Sequence, residues 1–309
     1  MMTFDDITAA ADRIAARVLR TPVKHSAALD SALGCQVMLK CENLQKSGAF
    51  KFRGACNALL QLAPEQRQQG VVTVSSGNHG AALAAAGQLL GVQVTVGVAT
   101  NASPLKRDNM LKYGAKLHAI EPGMAAREQF LAEQARQSAI IIPPYDHLDI
   151  MAGQGTAALE LCEDYPDLWA VVTPLGGGGL LSGSCVVAKR FGARCFGIEP
   201  ELASDGKQSL QHGSIQPAMP AKSRCDGLLT SLGALPFDII QRQVSDILLV
   251  SEQQVDAAQQ LVWSCTDMWI EPSSATTVAA LQRYPEIFAE RKVGVIVSGG
   301  NVAAPAKKD

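Results

Sequence analysis

The sequence predicts an α/β fold of two lobes, each built on a mainly parallel sheet flanked by helices. Short β-branched runs alternate with helix-forming segments along most of the 309 residues, which is typical of parallel strands joined by helical crossovers. The chain is long enough for two hydrophobic cores, and Pro143-Pro144 interrupts the alternation. We therefore predict a smaller lobe at 61–148, inserted into a larger lobe formed by 1–60 and 149–309.

In the first half of the chain, hydrophobic periodicity defines the elements. An amphipathic helix is predicted from Ile7 to Leu19, and Thr21-Pro22 ends it because proline disfavours a helix in the residue before it. The remaining predicted elements are strands at 36–39, 71–74, 92–98, 117–120 and 139–142, and helices at 54–62, 80–90, 104–113 and 127–137.

The second half resumes the alternation after the two prolines. Its predicted strands lie at 170–175, 194–198, 246–250 and 293–297, and its helices at 153–163, 180–190, 252–267 and 273–283. Residues 205–235 contain prolines and glycines without a clear period, so we predict a long connection there.

The composition is that of a globular protein, with 47% apolar and 18% charged residues. A formal charge of -2 and the absence of Lys/Arg runs argue against a nucleic-acid partner. No apolar stretch is long enough to span a membrane, and the acidic amino terminus does not resemble a signal peptide, so we expect a cytoplasmic protein. The eight cysteines form no C-x-x-C pair, which argues against a zinc or disulfide framework.

The most informative stretch is 47–55, where Lys51 lies between Phe50 and Phe52, after a glycine turn and before a helix of small residues. Burial among apolar groups disfavours the ammonium form and lowers the pKa of a lysine. A neutral amine is what Schiff-base chemistry with an aldehyde cofactor requires. Taken alone, the stretch fits equally well a surface lysine whose stem covers apolar neighbours.

Three loops that follow predicted strands are rich in glycine and polar residues. Residues 75–80, Ser-Ser-Gly-Asn-His-Gly, open a helix whose free N–H groups favour a carboxylate, or they form a plain N-cap turn. Gly176 to Gly179 lie between a strand and a helix, where parallel sheets bind phosphates, or they form a flexible linker. Residues 298–301, Ser-Gly-Gly-Asn, offer a hydroxyl to a neutral ring nitrogen, or they form a tight turn.

Together with the segment Glu271-Pro272-Ser273-Ser274-Ala275, these motifs resemble in order and spacing those of the fold-type II pyridoxal-phosphate enzymes, which share a tryptophan synthase β-like fold. Within that group the chain resembles the threonine/serine dehydratases and, more closely still, the serine racemases, and the resemblance covers the chain from Arg20 to Val302. It implies pyridoxal 5'-phosphate as the cofactor, a small amino acid as the substrate and a homodimer.

The resemblance also implies roles for individual residues. Lys51 would bond covalently to the cofactor and serve as a catalytic base, and Ser76 would be a second acid/base on the opposite face. The cofactor would be bound by Phe50, Lys51, Asn78, Gly176, Gly177, Gly178, Gly179, Leu180, Glu271 and Ser298. The substrate would be bound by Ser75, Ser76, Asn78, His79 and Arg127.

A divalent cation is implied in the same way. In the racemase-like branch, a glutamate, an alanine carbonyl and an aspartate bind a cation at a spacing that Glu199, Ala203 and Asp205 reproduce. Such oxygen ligands suit magnesium or calcium. From the residues alone, an exposed acidic loop is the alternative.

These assignments predict β-elimination, in which L-serine, L-threonine or 3-hydroxyaspartate is converted to a 2-oxo acid and ammonia. The second candidate is racemisation of serine or a related amino acid, with Lys51 and Ser76 as the two bases. The third is a nucleotide-dependent oxidoreductase, against which the spacing of the glycines argues. The fourth is a non-catalytic ligand-binding relative, which would not need the intact Lys51.

Overall fold

The computed structural model describes residues 1–220 and 222–303. They form an α/β fold. The helices are α1 (Phe4–Ile14), α2 (Ala27–Leu33), α3 (Lys51–Gln61), α4 (Pro64–Gln69), α5 (Asn78–Leu90), α6 (Pro104–Lys112), α7 (Met124–Arg136), α8 (Leu148–Asp164), α9 (Gly179–Phe191), α10 (Asp205–His212), α11 (Ala234–Gln243), α12 (Glu252–Thr266), α13 (Pro272–Arg283) and α14 (Pro285–Phe288). The strands are β1 (Val23–Lys24), β2 (Gln36–Cys41), β3 (Val71–Val74), β4 (Val94–Ala99), β5 (Lys116–Ile120), β6 (Ile140–Ile141), β7 (Ala170–Pro174), β8 (Arg194–Pro200), β9 (Asp246–Val250) and β10 (Lys292–Val297).

A six-stranded sheet forms the centre of the larger lobe, with the strand order β1-β2-β10-β7-β8-β9. All its neighbours are parallel except the edge pair of β1 and β2. Strand β10 lies inside the sheet, where Val295 is paired with Leu39 of β2 on one side and with Val172 of β7 on the other. These strands are continuous apolar runs because helices cover both faces of a parallel sheet.

A four-stranded, fully parallel sheet with the order β5-β4-β3-β6 forms the smaller lobe. Its strands lie between Val71 and Ile141, inside the predicted range 61–148. The two sheets with their helices confirm the predicted fold class. The exact lobe boundaries stay a prediction.

Helix α8 lies between α3 and α9 at distances that only glycine allows. A Cβ added at Gly153 would be 2.7 Å from the Cα of Gly54 in α3, and one added at Gly183 in α9 would be 2.6 Å from the Cα of Gly155. At these crossings the helices contact each other through their backbones rather than through side chains. Because α3 begins at Lys51 and α9 begins in the glycine loop, α8 fixes the relative position of two predicted parts of the site.

A cluster of four buried charges supports α3 directly after the predicted catalytic lysine. Arg53 donates to both carboxylate oxygens of Glu42 at 2.7 and 2.8 Å, and to both of Glu160 at 2.7 and 2.8 Å. Lys40 donates to Glu160 at 2.5 Å. The two positive and two negative charges balance, which is the condition under which charged groups tolerate burial.

The prediction of a connection at 205–235 is wrong at both ends, because α10 begins at Asp205 and α11 begins at Ala234. In each helix, a free N–H group of the first turn donates to a carboxylate that lies outside the helix. Glu199 accepts from the backbone N–H of Gly206 at 2.9 Å, and Asp146 accepts from the N–H of Ala234 at 3.1 Å. When the free N–H groups of a helix are capped by a residue outside the N-cap position, the sequence shows no capping motif at the helix start.

Smaller differences concern short elements and helix ends. The first helix covers Phe4–Ile14 rather than 7–19, because Thr3 and Asp6 form a capping box at its start. Strand β1 and the helices α2, α4 and α14 have no predicted counterpart. Seven of the eight cysteines are buried. Within 1–220 and 222–303, no helix is long and apolar enough to cross a membrane.

Candidate active site

The Lys51 amine lies in apolar surroundings at the start of α3. Its Nζ is 5.1 Å from the centroid of the Phe50 ring and 6.0 Å from that of Tyr145. Its hydrogen-bond acceptor is the neutral carbonyl oxygen of Pro144, at 2.8 Å. Burial lowers the pKa of Lys51 to about 7. The sequence predicted this lowered pKa from the two flanking phenylalanines, but not that Pro144 and Tyr145, from a distant loop, are neighbours of the amine.

The four-glycine loop leads from β7 into the first turn of α9 and forms a cradle without side chains. A Cβ added at Gly177 would collide with the Tyr145 ring, and one at Gly179 with the Gln154 side chain. Gly178 has a φ of 91°, which L side chains rarely adopt. Because the first N–H groups of a helix have no partner within it, this cradle can bind an anion. Leu180 follows it, buried in the first turn of α9.

A closed set of hydrogen bonds joins the 75–80 loop of the smaller lobe to the loop after β10. The amide Nδ2 of Asn78 donates to Glu271 at 2.9 Å, and Asn78 Oδ1 accepts from Asn301 Nδ2 at 2.9 Å. The Asn301 backbone N–H also donates to Glu271, at 2.9 Å. These bonds fix which end of the Asn78 amide faces which neighbour. Asn301 had no predicted role, although its presence in the Ser-Gly-Gly-Asn loop was a signal.

Ser298 is buried at the carboxyl end of β10. Its hydroxyl shares a hydrogen bond of 2.9 Å with the hydroxyl of Ser274, and its carbonyl accepts from the N–H of Phe50 at 3.0 Å. The predicted cofactor-facing serine is therefore tied directly to the segment that carries Lys51. No carboxylate bonds to the Ser298 hydroxyl within the described part of the chain.

The predicted substrate loop is held by its own first serine. Ser75 Oγ accepts from the N–H groups of Gly77 and Gly80 at 3.2 and 3.0 Å, so this hydroxyl shapes the loop. Ser76 is exposed, and its Oγ accepts from the Ala99 N–H at 3.4 Å. Contacts of Ser75 and Ser76 with substrate stay predictions.

His79 is buried in the first turn of α5, as the second residue of that helix. Its Nε2 lies 3.1 Å from the carbonyl oxygen of Ile142, which accepts, so the proton is on Nε2. Burial, with the nearby charge of Lys51, lowers the pKa of His79 to about 3. The ring is neutral at physiological pH and leaves Nδ1 as an acceptor without a partner in the described residues.

Arg127 lines a cavity of about 260 Å³ between the two lobes. Tyr145 and Pro144 line the same cavity, and the carbonyl of Pro144 accepts from the Lys51 amine. No described carboxylate forms an ion pair with Arg127, and its charge lowers the pKa of the Tyr145 hydroxyl, although burial raises that pKa more. Arg127 is therefore placed to meet an acidic or polar group in the cavity.

Taken together, the residues fit pyridoxal 5'-phosphate. The chain provides an amine near neutrality, a glycine cradle at a helix amino terminus for an anionic phosphate, and a neutral hydroxyl at Ser298 for a ring nitrogen. Buried oxygens without partners, at Ser47 and Gln154, lie in the segments that border this space. The chemistry of the donors matches the group that the resemblance implies.

The predicted cation ligands lie at a second site at the end of β8. The Glu199 carboxylate accepts from the N–H groups of Gly206 and Lys207, both at 2.9 Å. Burial, with the neighbouring charge of Asp205, raises the pKa of Glu199 to about 8, and burial raises the pKa of Asp205 to about 6.

Two buried acids with raised pKa values are a set that a hard cation would stabilise. Asp205 Oδ2 has no hydrogen-bond partner among the described residues, and the side chain is 2% exposed. Ala203, whose carbonyl was the third predicted ligand, is buried beside them in a short 3-10 turn. The described residues contain no cluster of three His, Cys, Asp or Glu side chains suited to a metal. The predicted site would therefore depend on backbone oxygen as well.

Comparison with known proteins agrees with this geometry. The family described as "Pyridoxal-phosphate dependent enzyme" matches residues 14–299. The chain is 43% identical over 308 residues to a serine racemase of Dictyostelium discoideum, with 97% of this chain and 95% of the relative covered. It is 39% identical over 303 residues to a beta-hydroxyaspartate dehydratase of Paracoccus denitrificans, with 97% and 96% covered.

Solved structures give the same result. The crystal structure of serine racemase from Dictyostelium discoideum has a TM-score of 0.92 to this chain at 42% sequence identity, with 98% of this chain and 99% of that chain covered. Sequence, fold and site agree, and the chain belongs to the fold-type II pyridoxal-phosphate dependent enzymes.

Proposed function

We propose that the chain is an ammonia-lyase, which converts L-serine, L-threonine or 3-hydroxyaspartate to a 2-oxo acid and ammonia. The observation that carries this proposal is the Lys51 amine, with its pKa lowered to about 7 and a neutral carbonyl as its acceptor. Such an amine can take and return a proton near neutral pH. The relatives support the substrate class, since one is a serine racemase and another a beta-hydroxyaspartate dehydratase.

The cofactor, when bound, would draw electrons from the α-carbon of the substrate, which no side chain can do. Lys51 would bond to it covalently, and Glu271 would act through the Asn78 amide that it fixes. The other residues that would hold it are Phe50, Asn78, Gly176, Gly177, Gly178, Gly179, Leu180 and Ser298.

The chain's own groups would perform the proton transfers. Lys51 would take the proton from the substrate α-carbon, and the β-hydroxyl would leave with a proton as water. A second water then replaces the nitrogen, so the products are a 2-oxo acid and ammonia with no net gain of water. Unlike a carboxylate, the Ser298 hydroxyl would not keep a ring nitrogen protonated, which favours prompt loss of the substrate β-hydroxyl over a long-lived carbanion.

Racemisation is the second candidate, and the exposed Ser76 favours it. Among the described residues, its hydroxyl accepts a single long hydrogen bond, at 3.4 Å, and its side chain is exposed. With Lys51 as one base and Ser76 as the other, a proton removed from one face of the α-carbon could be returned to the opposite face. Both reactions would use the same loop and the same lysine.

The test of the proposed function is an assay panel with the purified holoprotein. Release of 2-oxo acid and ammonia would be measured from both enantiomers of serine, threonine and 3-hydroxyaspartate, and the α-carbon configuration of unreacted substrate would be followed by chiral chromatography. We expect elimination to be the faster reaction with one hydroxy amino acid. A protein that binds cofactor but releases no ammonia from any of the six would contradict the proposal.

We expect Ser76→Ala to abolish racemisation while elimination of the preferred L-substrate remains measurable. The variant loses the acid/base on one face only, a group whose loss typically costs about 10²-fold to 10⁴-fold in rate. The measurement is the ratio of the racemisation and elimination rates on the same sample. Ser214→Ala, in an exposed loop, is the control. Normal racemisation by Ser76→Ala would show that the second base lies elsewhere.

We also propose that Glu199, Asp205 and the Ala203 carbonyl bind a divalent cation, magnesium or calcium. Without it, the raised pKa values mean that the folded state retains protons that the unfolded state has released. Stability must then fall as the pH rises from about 4.5 to about 8, and become flat above that range. A cation that pairs with the carboxylates offsets this loss.

Accordingly, we expect cation addition after chelation to raise the unfolding temperature by about 5 °C at saturating concentration, with a larger effect at pH 8.5 than at pH 6. Asp205→Asn should remove the response, whereas Asp238→Asn, on the partly exposed side of α11 and paired with Arg242, should retain it. Differential scanning fluorimetry with magnesium and with calcium gives the comparison. An unfolding temperature that no cation changes would argue against the site.

The homodimer, the cytoplasmic location and lobe boundaries at 61 and 148 are further parts of this proposal. The family resemblance supports the homodimer and the lobe boundaries. Sedimentation of the holoprotein measures the first of them directly.

A further inference from the structure

Residues 142–146, here called the interlobe segment, lead from the smaller sheet to α8 and offer carbonyl oxygens to the active site. Ile142 accepts from His79 Nε2 at 3.1 Å, and Pro144 accepts from Lys51 Nζ at 2.8 Å. The segment contains Pro143 and Pro144, whose rings fix their φ angles and leave them no N–H. The segment therefore holds its carbonyl acceptors in fixed positions, and its two prolines have no N–H that could donate to those carbonyls.

The Pro144 carbonyl has a second donor, Gln154 Nε2 of α8, at 3.2 Å. Gln154 is completely buried, and its Oε1 faces the glycine loop, since a Cβ on Gly179 would collide with it. Gly153 and Gly155, the two neighbours of Gln154, are the contact points of α8 with α3 and α9. The Gln154 amide thus donates to the Pro144 carbonyl from a completely buried position, where α8 contacts α3 and α9.

We propose that the Pro144 carbonyl positions the Lys51 amine whenever that amine is not bonded to the cofactor, and that Gln154 is a positioning residue that holds this carbonyl. The inference rests on the proposed function, in which the released amine takes the α-proton. A general base must be held within hydrogen-bond reach of its proton. A neutral carbonyl orients the amine through a hydrogen bond, whereas a carboxylate in its place would keep the amine protonated.

The Pro144 carbonyl is the principal polar neighbour of the Lys51 amine, because the titratable groups that face the amine are uncharged. The titratable groups that face Lys51 are His79 on α5 and Tyr145 in the interlobe segment. The pKa of His79 is lowered to about 3 and that of Tyr145 is raised, so both are neutral between pH 5 and pH 9. The glycine loop contributes no side-chain charge. A change at Gln154 therefore acts on an amine that has no ion-pair partner among the described residues.

Three variants test the inference. Gln154→Leu removes the donor at similar size, and Gln154→Glu replaces it with a carboxylate near the amine. Gln259→Leu is the matched control, because Gln259 is also buried in a helix of the larger lobe and donates to a backbone carbonyl, that of Ile270 at 2.5 Å. Circular dichroism and thermal unfolding establish that each variant is folded. Gln154→Met takes the place of Gln154→Leu if the latter is not folded.

The first readout needs no substrate. The rate at which cofactor-free protein captures pyridoxal 5'-phosphate is followed by absorbance as a function of pH, because only the neutral amine attacks the aldehyde. The wild-type rate should be half-maximal near pH 7. In Gln154→Glu we expect this midpoint to rise by about one unit or more, since an opposite charge at this range favours the ammonium. The control should keep the wild-type midpoint.

The second readout is catalysis by the holoenzyme. In Gln154→Leu we expect kcat to fall between about 10-fold and 100-fold with KM almost unchanged, because a misplaced base affects proton removal more than binding. A kcat no lower than that of Gln259→Leu, or a Gln154→Glu midpoint at the wild-type value, would overturn the inference. Failure of the proposed function is distinguishable, because the wild-type holoprotein itself would then release no ammonia.

Discussion

Replacement of Lys51 by alanine is expected to abolish both elimination and racemisation, with a loss of at least about 10³-fold in kcat/KM. The variant removes at once the amine that bonds to the cofactor and the base that takes the α-proton. The amine is enclosed by two aromatic rings and a proline carbonyl, so no other side chain can take its place from a neighbouring position. Ammonia release from the preferred substrate measures the loss.

A control and a spectroscopic readout make this result specific. Lys46 also donates to a backbone carbonyl, that of Arg17 at 2.5 Å, and lies 5.7 Å from the centroid of the Phe52 ring. Lys46→Ala should therefore retain the absorbance of lysine-bound cofactor, whereas Lys51→Ala should lose it. Reduction with borohydride followed by peptide mass mapping locates the bond. A cofactor adduct on any residue other than Lys51 would refute the assignment.

The largest stability effect is expected from Arg53→Met, which should lower the free energy of unfolding by about 3–5 kcal/mol. Arg53 satisfies both carboxylate oxygens of Glu42 and of Glu160, and neither Arg53 nor Glu42 has exposed side-chain surface. Its removal leaves Lys40 as the sole cation beside two buried carboxylates. One uncompensated charge in the interior is more costly than the lost hydrogen bonds.

Urea unfolding at fixed cofactor concentration measures the change. The matched control is Arg20→Met, which breaks exposed pairs with Glu163 and Asp164 and should cost at most about 1 kcal/mol. Arg53→Lys should fall between the two, since it keeps the charge but not the forked geometry. Equal unfolding free energies for Arg53→Met and Arg20→Met would show that the buried cluster contributes no more than a surface pair.

Much of the fold was accessible from the sequence because each central strand is a short β-branched run with a glycine or polar loop at its end. Strands β3 and β9 were predicted with their observed bounds, 71–74 and 246–250. The segment at 205–212 was not predicted to be helical, and its first free N–H groups donate to the Glu199 carboxylate, which lies outside the helix near the end of β8. Local periodicity contains no information about such a contact.

The candidate site divides in the same way. Lys51, the loop at 75–80 and the glycines at 176–179 were identified because each forms a compact motif in the sequence. Pro144 and Gln154 were not identified, since one contributes only its backbone carbonyl and the other only a single amide bond to that carbonyl. Interactions of this kind depend on which loops the fold brings together, and residue type reveals little about them.

The strand order of the larger sheet also bears on how the protein is made. Strand β2 pairs with β10, the last of the described strands in chain order, whereas the strands of the smaller sheet are consecutive. During synthesis one edge of β2 stays unpaired until β10 has been made, and an unpaired strand edge can pair with other chains. The lysine, the glycine loop and Ser298 meet only when that final strand has docked. Vitamin B6 uptake therefore depends on the docking of β10, and a chain cut before β10 would remain a client of chaperones and proteases.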